Sequence, residues 1–154
     1  MLPGTAFEVA GWDGTARGRA DGGFSYCVVR HAYPNGVELS LARSPEGLFF
    51  IGLKNADWRL RKGEAAKAAV EIDDAEAPEA SAAAISSDTV LFTLWPRDAA
   101  FYVSQLAGGS RLTVADLSVT PQEAAWRFDL TGAREALSAL EHCVAAHGST
   151  AATE

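Results

Sequence analysis

GFSYCVVRHAYPNGVELSLARSPEGLFFIGL, residues 23–53, is the stretch whose pattern decides the fold. Gly23–His31 alternates, with Phe24, Tyr26, Val28 and Arg30 on one face and Ser25, Cys27, Val29 and His31 on the other. A period of two marks a strand with two different environments. Pro34-Asn35-Gly36 then supplies residues that tolerate φ > 0, as a tight hairpin requires. Val37–Ala42 alternates again, with Val37, Leu39 and Leu41 inward. Ser44-Pro45-Glu46-Gly47 is a second turn, with proline at its first central position, and Leu48–Leu53 is a third strand. The stretch therefore reads as a three-stranded antiparallel meander.

Working outward, Phe7–Trp12 is a short strand that leads into glycines at 11, 14, 18, 22 and 23. These contain no G-x-G-x-x-G run between a strand and a helix, so they read as a flexible connection, not a phosphate loop. Asn55–Trp58 is a turn. Ala66–Ile72 and Thr89–Trp95 are strands separated by an Ala/Glu/Asp/Pro-rich loop, 73–87. Pro96 opens a helix over Arg97–Ala107, which Gly108-Gly109 stops. Arg111–Val119 and Glu123–Leu130 form a hairpin around Thr120-Pro121. Thr131 caps a last helix whose apolar stripe, Ala133, Ala136/Leu137, Leu140 and Cys143/Val144, recurs at helical spacing. The expected fold is mainly β: an antiparallel β-sandwich with two helices, the C-terminal one packed on the sheet. Residues 1–147 form one domain and 148–154 a disordered tail.

Composition excludes some functions. At 154 residues the chain is long enough to bury a core without metal help, and no segment approaches the ~18 apolar residues of a membrane-spanning helix. A net charge of −7 and pI near 4.9 argue against nucleic acid as a partner. The one basic cluster is Arg59-Leu60-Arg61-Lys62. Met1–Thr5 has neither a basic leader nor an apolar run, so this is either a cytoplasmic protein or the mature form of an exported one.

The only cysteines, Cys27 and Cys143, bracket most of the chain. A Cys27–Cys143 disulfide closing a loop of over one hundred residues is expected, with two reduced thiols as the alternative. A catalytic Cys27 is disfavoured: His31 lies four residues along the same strand face, about 13 Å away. His31, His142 and His147 show no metal-ligand spacing. Asp73, Asp74, Glu76 and Glu79 lack the alternating ligands and glycine of a calcium loop. There is no G-x-S-x-G nucleophile elbow. No catalytic residue, metal or cofactor is assigned. Of the tryptophans 12, 58, 95 and 126, most read as core. Trp58 sits between Asp57 and Arg59, where the indole either anchors a partner or packs back as a plug. Trp58, Arg59 and Arg61 are the partner-binding candidates.

Three stretches, Phe24–Cys27, Gly52–Leu60 and Trp126–Gly132 continuing through Ala136–Leu140 to Cys143-Val144, resemble small exported alphaproteobacterial proteins related to the invasion-associated locus B family. The resemblance covers most of the chain at the level of pattern. It implies a β-sandwich with one or two helices at its edge, and export to the periplasm or beyond. This chain departs from it in lacking a leader and having few cysteines. No chemistry transfers with it. The resulting expectation is a non-enzymatic exported domain that binds a protein partner or stabilises an envelope assembly. A cytosolic binding or regulatory protein with free thiols is the alternative, and a small hydrolase-type enzyme ranks third.

Overall fold

The computed structural model describes residues 5–115, 117–119 and 125–152, with side chains through 148. Two antiparallel sheets and two helices enclose one core. The first sheet contains eight strands, in the order β1 (Phe7–Val9), β2 (Trp12–Gly18), β3 (Phe24–Ala32), β4 (Glu38–Arg43), β5 (Phe49–Lys54), β10 (Thr89–Leu94), β9 (Ser81–Ala84) and β6 (Ala65–Ala66). The second contains four: β12 (Trp126–Asp129), β11 (Arg111–Ala115), β7 (Ala69–Ile72) and β8 (Ala75–Glu76). Helices α1 (Pro96–Gly108) and α2 (Ala133–Ala152) complete the chain.

The meander forms with its two turns built alike. Gly36 and Gly47 both have φ near +90° and donate to the carbonyls of Tyr33 and Ser44. Each turn is closed by a second bond, Tyr33 N–H to the Val37 carbonyl and Ser44 N–H to the Leu48 carbonyl. Turn chemistry thus sets the register of β3, β4 and β5.

Several expectations are corrected. The glycine-rich segment is not a flexible connection but the strand β2, with Trp12 and Ala16 fully buried. Its Gly14 lies beneath the Phe7 ring: a Cβ there would stand 2.2 Å from Phe7 Cζ. A glycine covered by a cross-strand aromatic keeps its strand pairing. Ser25 is an extra residue opposite the Arg17/Gly18 step, so Phe24 leaves the face of Tyr26 and joins Cys27 in the core. Ala66–Ile72 is split, β6 pairing in the large sheet and β7 in the small one. The acidic loop contains β8 and β9, which the ladders of β7 and β10 recruit. The β11–β12 pairing is as expected, but its Thr120-Pro121 turn lies outside the described residues. Trp95 is 61% exposed, not core.

The start of α2 also differs. Ala136 N–H donates to the Gly132 carbonyl, so the helix opens at Gly132, while Thr131 turns its hydroxyl back to Asp129. Gly132 has φ +80°, and a Cβ there would lie 2.4 Å from the Ala10 carbonyl oxygen. Only glycine meets both demands. From there Ala133, Ala136, Leu137 and Leu140 face the sheet, and α2 packs on β2, β3 and β4. The helix runs on to Ala152, through Gly148, where the sequence suggests a tail.

Candidate binding surfaces

The apolar stripe of α2 delivers Cys143 to β3, where it forms a disulfide with Cys27 across 116 residues of sequence. With its sulfur bonded and fully buried, Cys27 is not available as a nucleophile. Beside the bond, Arg43 Nε pairs with Glu141 at 3.1 Å, sheet to helix.

The three histidines are apart. His31 Nδ1 is 2.8 Å from the Gly11 carbonyl, and its ring lies 5.4 Å from Trp12 and 4.8 Å from Tyr33. His147 lies near Phe24, ring to ring at 5.6 Å, and His142 sits on the outside of α2, one turn beyond Ser138 and Ala139. Among the described residues no three His, Cys, Asp or Glu side chains converge as metal ligands do.

A surface cleft of about 620 Å³ gathers Asp73, Asp74, Arg111, Arg127 and Asp129. Its carboxylates are already engaged. Asp73 Oδ1 accepts the N–H groups of Ser110 and Arg111, at 2.9 and 3.1 Å, and Asp74 pairs with Arg111 at 3.5 Å. Asp129 accepts both the hydroxyl and the N–H of Thr131, which hold it below the usual carboxylate range. These groups secure turns. They are not poised as an acid and a base.

Two surfaces remain. The first is the loop that follows β5. Trp58 and Leu60 are only 6% and 9% exposed, whereas Arg59, Arg61 and Lys62 are exposed. The indole of Trp58 meets that of Trp126 edge to face at 5.7 Å, so it packs back as a plug. The backbone is fixed as well. Asn55 Oδ1 accepts from Asp57 N–H, Trp58 N–H donates to the Asn55 carbonyl, and Leu60 N–H donates to Ser87. Arg59 is tethered to the Ala56 and Trp58 carbonyls through Nη1. The neighbouring turn is held by Asp88, whose carboxylate accepts from the hydroxyls of Ser86 and Thr89 and is thereby lowered in pKa. Among the described residues the side chains of Arg61 and Lys62 have no partner. The result is a short, rigid, basic projection on an acidic protein.

The second surface was not read from the sequence. The face of the large sheet turned away from α2 carries a trough of about 520 Å³. Arg17, Tyr26 and Arg30 stand at its β2–β3 end, Ile85 and Leu91 at its β10 end. Each strand contributes alternate residues, the ones its inward pattern leaves over, so no contiguous motif marks the trough.

No family model matches the chain, and no curated protein matches it. A solved structure does resemble it, at 15% identity, a TM-score of 0.60, and coverage of 89% of this chain and 96% of the other. The fold is therefore similar to that in the crystal structure of invasion associated protein B from Bartonella henselae.

Proposed function

We propose that this is a non-enzymatic exported domain, periplasmic or secreted, that binds a protein partner or supports an envelope assembly through the loop of Trp58, Arg59 and Arg61. The observation that carries the reading is the loop's division of labour. Trp58 and Leu60 anchor it, while Arg59, Arg61 and Lys62 face water. Ordering the loop in advance removes an entropic cost from binding. Its charge, opposed to the chain's net −7, suits an acidic patch on the partner.

Two further facts support export. Both cysteines are bonded, as suits an oxidising compartment better than the cytosol and its free thiols. The fold is also like that of an invasion associated protein. Among the described residues no helix is long and apolar enough to cross a membrane.

The test is site-specific photocrosslinking in cells of the source organism, with the probe at position 61 and, as a control, at Arg134 on α2. A discrete crosslinked protein is expected from position 61 alone, and Arg59→Glu combined with Lys62→Glu should weaken capture at least tenfold. Equal crosslinking at both positions, or none, would sink the assignment of this loop.

A further inference from the structure

The trough on the outer face of the large sheet carries no residue of that loop. Register places Val28, Ala42 and Phe50 in one row across β3, β4 and β5. Arg30, Ser40, Gly52 and Leu91 form the next row, continued into β10. In the middle the Ser40 hydroxyl leans over Gly52. A Cβ there would stand 2.3 Å from Ser40 Oγ and 3.8 Å from Leu91 Cδ1. Val28 and Ala42 are each 7% exposed, so the floor is recessed, while Ile85 rises at the far end with 47% exposure. The trough spans β2, β3, β4, β5 and β10, four inter-strand steps of ~4.8 Å, or about 19 Å.

Charge distinguishes its two ends. Arg17 and Arg30 both stand at the β2–β3 end, and among the described residues no Asp or Glu lines the trough, although the chain as a whole is at −7. Asp13 is the cross-strand neighbour of Arg30, yet among the described residues neither arginine forms an ion pair. The other end, formed by Ile85, Leu91 and Thr89, carries no charge.

We propose that this trough binds a long-chain carboxylate of the fatty-acid class. Its head lies between the guanidinium groups of Arg17 and Arg30, and its chain lies across Val28, Ala42 and Leu91 towards Ile85. Arginine suits a carboxylate because its N–H fork matches the two oxygens. An acyl chain suits the floor because it brings no polar groups. A peptide crossing the strands would bring N–H and C=O groups over apolar side chains, while the backbone groups below are consumed in the ladder.

Calorimetric titration with myristate, below its micellar concentration, tests the site on the disulfide-bonded protein. One saturable site is expected, with affinity falling two- to fourfold for each methylene removed, up to the gain from burying one CH₂. Arg17→Gln with Arg30→Gln should cost at least tenfold. Tetradecyltrimethylammonium, which reverses the head charge, should bind at least tenfold more weakly than myristate. Ala42→Trp, placed in the floor, should abolish binding. The arginine variant lies on the half-buried rim, outside the core, and keeps the test decisive if the tryptophan variant misfolds. Absence of saturable binding, or equal affinity for the two head groups, would overturn the proposal. So would wild-type dimerisation that Ala42→Trp abolishes, because a second copy would then occupy the face. The loop variant Arg59→Glu/Lys62→Glu should leave myristate binding unchanged, so this site and the partner loop fail independently.

Discussion

The two halves of the large sheet are covered in different ways. Over β2, β3 and β4 the cover is α2, and it is locked. The Cys27–Cys143 bond, the Arg43–Glu141 pair and the hydrogen bond from Trp12 Nε1 to the Thr131 carbonyl all run from sheet to cover or to its entry turn. Over β5, β10 and β9 lie α1 and the small sheet, and shape does most of the holding. Tyr102, Leu106, Leu112 and Phe128 are fully buried there. The ties on that side are neutral hydrogen bonds, from the Tyr102 hydroxyl to the Pro78 carbonyl, the Tyr33 hydroxyl to the Asp129 carbonyl and Asn35 Nδ2 to the Arg127 carbonyl, with no ion pair or covalent bond among them. The difference teaches where the disulfide was needed. A single helix with an alanine-rich face, Ala133 and Ala136 among its contacts, buries little area per residue. A four-stranded sheet with Phe128 and Leu112 needs no covalent help.

The largest expected effect breaks the first half. Cys27→Ser with Cys143→Ser removes a cross-link over 116 residues, worth about 4–5 kcal/mol in the chain-entropy account. The denaturant midpoint should fall accordingly, and amide exchange should rise first in α2. A loss below about 1 kcal/mol would mean that α2 is held by its packing alone, and the contrast between the halves would disappear.

On the second side the matching substitution is Trp58→Ala. The indole is 6% exposed and closes the small sheet's edge against Trp126. Truncating it should cost about 3–4 kcal/mol, as large-to-small core changes do. The midpoint in denaturant reads this directly. An unchanged midpoint would return Trp58 to the role of an exposed anchor.

The same contrast explains what was legible beforehand. The meander could be read because its turn glycines and its period of two agree, and α2 because its stripe and Cys143 agree. Strand β2 was hidden because Gly14 contributes no side chain to the pattern; its place is filled by Phe7, from another strand. Strand β9, Ser81-Ala82-Ala83-Ala84, has no β propensity of its own and exists because β10 offers it a ladder. The charged neighbours of Trp58 left open whether the indole anchors a partner or packs back, yet Trp58 and Leu60 inward with Arg59 and Arg61 outward is itself a period of two. The trough was out of reach because it is assembled from alternate residues of five strands, the last of which, β10, joins β5 only after four intervening strands of sequence.

The smallest effect compares two tyrosines, one tying the β3–β4 turn to β12 and one inside α1. Tyr33 donates its hydroxyl to the Asp129 carbonyl at 2.6 Å, joining the β3–β4 turn to β12. Tyr102 does the same for Pro78 from inside α1. Burial pushes both phenols up to about 12, with a further push from Asp129 on Tyr33 and from Asp98 on Tyr102. A folded-state pKa raised above the unfolded value of 10 means that the fold favours the neutral phenol. The contribution is therefore complete below pH 10 and is lost as pH climbs towards about 12. At neutral pH, Tyr33→Phe and Tyr102→Phe should each cost about 1 kcal/mol for the lost hydrogen bond. Above pH 10 each variant should lose stability less steeply than the parent. Both phenols are pushed to the same value, so the alkaline limb should flatten equally for the two variants despite their different exposure. A larger effect for Tyr102→Phe would show that depth of burial governs the titration beyond the shared hydrogen bond. No flattening in either variant would place the alkaline transition elsewhere and remove the tyrosines from the comparison.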